Sequence, residues 1–178
     1  SPVTASCSTA WRWLKVPRSL AKTLRNAAYE VRFDNAFDEV MRGCAAPRAG
    51  QPGTWITAEM RAAYGRLHEL GYAHCAETWI EGELAGGLYG VALGGALFGE
   101  SMFHYRTDAS KVALGATVQR LNVRGFTLFD VQYITPHLAR FGADEIARRE
   151  YLARLKDAVA VPAKFVDWTR EPKWKAWR

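Results

Sequence analysis

Three polar residues stand where their neighbours argue for burial. Glu100 interrupts the otherwise apolar stretch 96–103. A carboxylate isolated among apolar groups is costly, so Glu100 either faces water or meets a cation. Asp130 and Gln132 lie two residues apart at the carboxyl end of the apolar run 126–131. A period of two places them on one face of a strand, and the carboxyl ends of strands are where open sheets handle ligands. Taken alone, each of the three reads equally well as a satisfied structural group. Other chemistries find less support. The four histidines (His68, His74, His104, His137) make no H-x-x-x-H pair, and Cys7, Cys44 and Cys75 lack metal-ligand spacing. No metal site is expected. No G-x-S-x-G elbow presents a serine nucleophile. Gly86-Gly87 and Gly94-Gly95 lie in hairpin context rather than between strand and helix. They read as close packing or bulges in a sheet, not as a phosphate loop.

The elements that position these residues follow from periodicity and breakers. Residues 22–28 read as a helix, with Arg18, Lys22 and Arg25 recurring on one face. Residues 29–33 alternate apolar and charged, as a half-buried strand does. Asp34 is expected to cap the next helix, with Phe37, Val40 and Met41 as its apolar stripe and Gly43 marking its end. Residues 46–53 hold two prolines and two glycines and read as a loop. Thr57 with Glu59 starts a helix through Leu70, closed by Gly71. Strands are expected over 73–80, 84–93 and 96–103, then a helix from its cap at Asp108 to about Val123. A buried strand at 126–131 follows, and Thr135-Pro136 opens a short helix that ends at Phe141-Gly142-Ala143. After a brief strand, 147–158 is the last clear helix. Helices, then an antiparallel meander, then alternating helix and strand describe an α+β fold with a mixed central sheet.

The 178 residues fit one ordinary domain, or one domain with ordered extensions. Apolar residues make up 49% and charged residues 24%, which excludes a disordered or collagen-like chain. No run reaches the roughly 20 apolar residues of a membrane span. Trp11-Arg12-Trp13-Leu14-Lys15 interrupts any apolar core of a signal peptide. The odd cysteine count favours a reduced, cytoplasmic compartment. The net charge of +6 is concentrated at the ends: residues 1–25 hold five basic groups and no acid, and residues 164–178 hold five more against two acids. The middle is left slightly acidic, a distribution that suits a polyanion binder. Trp11 and Trp13, and then Trp168, Trp174 and Trp177, are interleaved with these charges. Indole beside a cation suits base stacking with phosphate contact, and equally the docking of a terminus on its own domain.

Seven short motifs carry a resemblance. They are 53–57 (Gly-Thr-Trp-Ile-Thr), 67–71 (Leu-His-Glu-Leu-Gly), 86–91 (Gly-Gly-Leu-Tyr-Gly-Val), 98–103 (Phe-Gly-Glu-Ser-Met-Phe), 108–111 (Asp-Ala-Ser-Lys), 130–132 (Asp-Val-Gln) and 141–143 (Phe-Gly-Ala). In this order and spacing, over roughly 16–155, the chain resembles leucyl/phenylalanyl-tRNA–protein transferases. Each motif is weak alone; the ordered set is specific. The resemblance implies a Gcn5-type N-acetyltransferase-like fold. It also implies transfer of Leu or Phe, less readily Met, from aminoacyl-tRNA to the N-terminal amine of a protein beginning with Arg or Lys, which marks that protein for degradation. The donor ester is already activated, so no cofactor, ATP or metal is implied. No glycine loop for acetyl-CoA pyrophosphate precedes the helix at Asp108, which separately disfavours that donor.

By the same resemblance Asp130 and Gln132 match the catalytic pair, in which Asp orients the Gln that hydrogen-bonds the attacking amine. Glu100 matches the acidic residue of the acceptor site, with Ser101 beside it. Trp55 and Tyr64 match aromatics that hold the 3′-terminal adenosine by stacking. Leu88, Leu97, Leu114, Thr117, Leu121 and Phe129 match the apolar pocket for the transferred side chain. Leu97 and Thr117 stand where the family favours larger aromatics. Arg18, Lys22 and Arg25 match the basic helix that meets the acceptor stem through phosphates. Residues 1–17 are expected to be a remnant or replacement of the family's small N-terminal domain, 18–160 the aminoacyltransferase domain, and 161–178 a basic Trp-rich tail. No membrane partner is expected, and the protein is expected to be a monomer. The competing readings are aminoacyl-tRNA-dependent modification of a peptide or small-molecule amine, and a tRNA-binding module that has lost catalysis. Retention of Asp130, Gln132 and Glu100 together favours an enzyme, since a pure binder needs none of them.

If Arg18, Lys22 and Arg25 hold phosphates, tRNA affinity falls with salt and is indifferent to tRNA sequence. Each contact adds roughly 0.7–0.9 to the slope of log affinity against log salt. The triple-Ala variant is expected to flatten that slope and raise the donor KM at unchanged turnover. A wild-type slope in the variant refutes the contact.

Overall fold

The computed structural model describes residues 7–9, 29–47, 54–132, 135–140 and 142–166. Their order is β1 (Cys7–Thr9), β2 (Tyr29–Phe33), α1 (Phe37–Ala45), α2 (Ala58–Glu69), β3 (Ala73–Ile80), β4 (Glu83–Leu93), β5 (Ala96–His104), α3 (Ala109–Val123), β6 (Leu128–Gln132), α4 (Pro136–Arg140) and α5 (Arg148–Val159). The strands form one sheet in the order β1-β6-β5-β4-β3-β2. Neighbours are antiparallel except β5 and β6, which are parallel and need the crossover through α3. The α+β class and the mixed sheet expected from the sequence are both present. The expected helix over 22–28 lies outside the described residues.

Strand alternation sorts the side chains into two layers. On one face Leu88, Leu97 and Phe129 meet Val112, Leu114, Val118 and Leu121 of α3. On the other, Cys75, Tyr89 and Phe103 meet Phe37, Val40, Met41 and Cys44 of α1, with Tyr64 and Leu67 of α2 packed beside them. Further along that second face Ala96, Phe98 and Leu128 lie under Tyr151, Leu155 and Ala158 of α5. Gly86 is required where α3 begins, because a Cβ there would stand 2.8 Å from the Cβ of Ala109. This is the close packing expected of the glycine pair. Among the described residues no helix is long and apolar enough to cross a membrane.

Capping differs from expectation at two helices and agrees at two. Asp34 does not cap α1. It lies at φ 56°, and its carboxylate accepts the Cys75 N–H at 2.7 Å and meets His74 Nδ1 at 2.6 Å. The α1 N-terminus is held instead by Glu77 of β3, whose Oε1 accepts the N–H groups of Asn35 and Ala36, both at 2.7 Å. Gly43 does not end α1, which runs to Ala45. It lies inside because a Cβ would come within 2.5 Å of the Phe103 ring. Asp108 precedes α3 in the left-handed region without a side-chain cap, and its carboxylate pairs with Lys111. Thr57 does cap α2, accepting the Met60 N–H, and Gly71 follows that helix at φ 78°. Thr135 Oγ1 accepts the Leu138 N–H to open α4 at Pro136.

β1 pairs with β6, Cys7 opposite Gln132 and Ser8 opposite Asp130. Phe165 is buried in the α3-side core, and its carbonyl accepts Arg120 Nε–H at 2.7 Å.

Glu77 is fully buried and also accepts the Trp79 indole N–H at 2.8 Å. Each donor stranded in a core costs about 1–3 kcal/mol. Glu77→Ala is therefore expected to lower unfolding stability by at least about 2 kcal/mol in urea titration. Wild-type stability would contradict the capping role.

Candidate active site

The three polar residues meet where the pairing of the parallel strands ends. β5 and β6 pair only through Ala96↔Leu128, Leu97↔Phe129 and Phe98↔Asp130, and then part. Two features of β5 coincide with the parting. Gly99 lies close to β6, a Cβ there standing 3.0 Å from the Phe129 ring. The β4–β5 register then shifts, with Tyr89 opposite Ser101 but Gly90 opposite Gly99, which leaves Glu100 as the extra residue of a bulge. Bulges re-aim the side chain they carry. Here Glu100 turns toward the end of β6.

There Asp130, Gln132 and Glu100 come together. Asp130 is 5% exposed and both of its oxygens are engaged. Oδ1 accepts the backbone N–H of Gln132 at 2.8 Å, and Oδ2 accepts the Tyr151 O–H at 2.7 Å. Gln132 sits at φ 61°, a conformation that ordinary L-residues avoid at a cost of about 1–2 kcal/mol. The Asp130 carboxylate thus holds the Gln132 backbone in an uncommon turn. The Gln132 side chain is steered from the other strand, its Nε2 donating to Glu100 Oε2 at 3.1 Å. An amide anchored through nitrogen presents its carbonyl oxygen as an acceptor. The Asp–Gln connection therefore runs through the backbone N–H rather than through the two side chains.

Tyr64 completes the line from α2. Its phenol is pushed up to about 12, first by burial and then by the nearby Glu100 carboxylate. Near neutral pH it is a firm O–H donor. Tyr89 beneath it is buried and its phenol is also raised, first by burial and then by Tyr64, Cys44 and Glu100. The rings of Tyr64 and Tyr89 meet edge-on at 5.1 Å. Trp55, just ahead of α2, is 53% exposed. Ser101 is partly buried on β5 opposite Tyr89.

The expected side-chain pocket is brought together as packed core. Leu88, Leu97, Leu114, Leu121 and Phe129 share the α3-side cluster, and Thr117 is buried with Oγ1 donating to the Ala113 carbonyl at 2.8 Å. Met102 and Val131 border that cluster and are only partly buried. Arg18, Lys22 and Arg25 lie outside the described residues. Sequence reasoning missed Tyr151. It sits in the charged helix Arg-Arg-Glu-Tyr-Leu-Ala-Arg, where one tyrosine reads as an apolar anchor and nothing signals its reach to Asp130.

A mixed sheet whose single parallel pair opens beside a bulged strand is the Gcn5-type N-acetyltransferase-like fold. Among solved structures the chain is similar to L-PGS from Bacillus licheniformis, with a TM-score of 0.50 and 12% identity over 85% of this chain and 55% of that one, a likeness of fold alone. The family model described as leucyl/phenylalanyl-tRNA protein transferase matches residues 10–156, and the chain belongs to that family. Relatives bearing the name leucyl/phenylalanyl-tRNA–protein transferase include that of Chromobacterium violaceum, 61% identical over 84% of this chain and 64% of its own length. That of Thiobacillus denitrificans is 56% identical over 88% of this chain and 68% of its own. The chain thus spans about two thirds of the length of these relatives.

The raised Tyr64 phenol fixes a pH dependence. Its folded value of about 12 lies above the ordinary 10.0, so its share of stability is fully present below pH 10 and is lost as pH rises toward 12. Tyr64→Phe is expected to lose less stability than wild type across that window in unfolding titrations. Equal losses would contradict the burial and the Glu100 contact.

Proposed function

We propose that this chain carries the catalytic unit of an aminoacyltransferase that moves Leu or Phe, and less readily Met, from aminoacyl-tRNA to the N-terminal amine of a protein beginning with Arg or Lys. The observation that carries this reading is the doubly anchored Gln132, its backbone held by Asp130 and its amide nitrogen by Glu100. Family membership supports the donor. The consequence for a receiving protein is a new N-terminal Leu or Phe, the mark of an N-degron. The reaction belongs to the cytoplasm, where charged tRNA is found.

The donor is an activated ester, so the work left to the protein is placement and charge stabilisation. The acceptor ammonium first loses a proton to solvent. The resulting amine is then oriented by an N–H hydrogen bond to Gln132 Oε1. Its lone pair forms the new amide C–N bond, the ester C–O bond to the terminal ribose breaks, and the second amine proton ends on the ribose oxygen. A neutral amide is a weak base, so Gln132 acts by aiming the nucleophile. Glu100 has two tasks here: it fixes the Gln132 amide, and its charge faces a cationic N-terminal residue. Exposed Trp55 and the Tyr64 ring flank the terminal adenosine, as aromatics commonly hold unpaired bases. The Leu or Phe side chain lies against Met102 and Val131, the partly buried border of the α3-side apolar layer that Leu88, Leu97, Leu114, Thr117, Leu121 and Phe129 fill. Arg18, Lys22 and Arg25 hold the acceptor stem. The protein acts as a monomer, with aminoacyl-tRNA as donor substrate and no cofactor.

Incubation with radiolabelled Leu- or Phe-tRNA and peptides beginning with Arg, Lys or other residues tests the reading. Label is expected only on Arg- and Lys-started peptides. Label on a peptide of any N-terminus, or none on any, overturns the acceptor assignment. Asp130→Ala and Gln132→Ala are each expected to cut transfer by about 10²–10³, the usual cost of one preorganised catalytic hydrogen bond, with tRNA binding kept. Full activity in both would sink the site.

A further inference from the structure

We propose that Tyr151 is a positioning residue for the catalytic amide, holding Gln132 in place through Asp130. This rests on the aminoacyl-transfer reading and deepens it. A carboxylate with one oxygen satisfied can rotate and exchange partners; one with both oxygens engaged cannot. Asp130 is of the second kind, because the Tyr151 hydroxyl takes Oδ2 at 2.7 Å while Oδ1 accepts the Gln132 N–H at 2.8 Å. Without the hydroxyl, Oδ2 would be left in a site 5% exposed, and the carboxylate would be free to turn away from the Gln132 N–H. Gln132 at φ 61° depends on that bond, because a left-handed residue other than glycine persists only where its surroundings over-determine it.

The hydroxyl is itself delivered by a rigid element. Tyr151 lies in the second turn's approach of α5, and its ring packs with Leu155 against the buried cluster of Ala96, Leu128 and Ala158. Ala96 and Leu128 are the first paired residues of the parallel strands. The helix that seals the foot of the β5–β6 pair is thus the helix that fixes the polar groups at its mouth. The chain of contacts runs from α5 to Tyr151, to Asp130, to the Gln132 backbone, and through the Gln132 amide to Glu100 on the facing strand. A positioning role of this sort acts on turnover and not on substrate affinity, since Tyr151 touches neither donor nor acceptor in this arrangement.

Tyr151→Phe keeps the ring and removes only the hydroxyl. In the full chain, kcat is expected to fall roughly tenfold to a hundredfold, as for outer-shell partners of a reacting group, with donor and acceptor KM within about twofold. Because both residues act through one bond, Tyr151→Phe is expected to cause no further loss in an Asp130→Ala background. Replacement by 4-aminophenylalanine, which retains a donor, is expected to restore turnover. Hydrogen exchange of the Gln132 backbone N–H gives a readout independent of activity: protected in wild type, and faster in Tyr151→Phe with neighbouring β6 amides unchanged. An unchanged kcat and unchanged Gln132 exchange in Tyr151→Phe overturn the proposal, as do losses that add to those of Asp130→Ala. A wild-type chain that transfers nothing would sink the aminoacyl-transfer reading alone, and the Gln132 exchange rate would still decide the positioning role.

Discussion

Everything at the site depends on two parallel strands that stop pairing after three residues. β5 and β6 are joined from Ala96↔Leu128 to Phe98↔Asp130 and then separate. Beyond that point no ladder hydrogen bonds join the two backbones, and Glu100 and Gln132 meet through their side chains. The separation has a cost, because β6 ends at Gln132 with no neighbour on the β5 side and with a backbone turned to φ 61°. The structure meets that cost with the Asp130 carboxylate, which accepts the loose N–H. On its outer edge β6 is covered by β1, with Cys7 opposite Gln132.

Carboxylates recur as the device that fixes backbone in this fold. Asp34 holds the Cys75 N–H, Glu77 holds Asn35 and Ala36 at the head of α1, and Asp130 holds Gln132. A buried carboxylate is tolerable where several donors converge on it. Glu100 differs. It is only partly buried, and it lies on a bulge rather than in regular register. Its hydrogen-bond partner is the neutral Gln132 amide, and its charge is felt by the nearby Tyr64 phenol.

Much of this was legible before the structure. The Thr57 cap and the 73–80 strand follow from local rules, because caps and alternation act over four residues or fewer. Glu100, Asp130 and Gln132 stood out because polar groups in apolar strands are rare. The failures share one cause. The Asp34 cap was expected from proximity in sequence, whereas the cap is supplied by Glu77, more than forty residues away. Gly43 resembled a helix end, whereas it is fixed by contact with Phe103. Tyr151 resembled an apolar anchor, and its hydroxyl partner lies on another element. Long-range side-chain contacts leave no local pattern. The three residues of β1 were equally unreadable, because so short an edge strand has no periodicity to detect.

The central claim is that Gln132 offers its carbonyl oxygen, not its amide nitrogen, to the attacking amine. A crystal structure with a stable, amide-linked phenylalanyl-adenosine and an Arg-started dipeptide tests this most directly. The account predicts that Gln132 Nε2 stays on Glu100 and that the dipeptide amine lies within hydrogen-bond distance of Oε1. It also predicts that the amine nitrogen approaches the phenylalanyl carbonyl carbon to about 3–3.5 Å, as in other near-attack geometries. A dipeptide amine bound away from Gln132, or a Gln132 amide turned so that its nitrogen leaves Glu100, would contradict it.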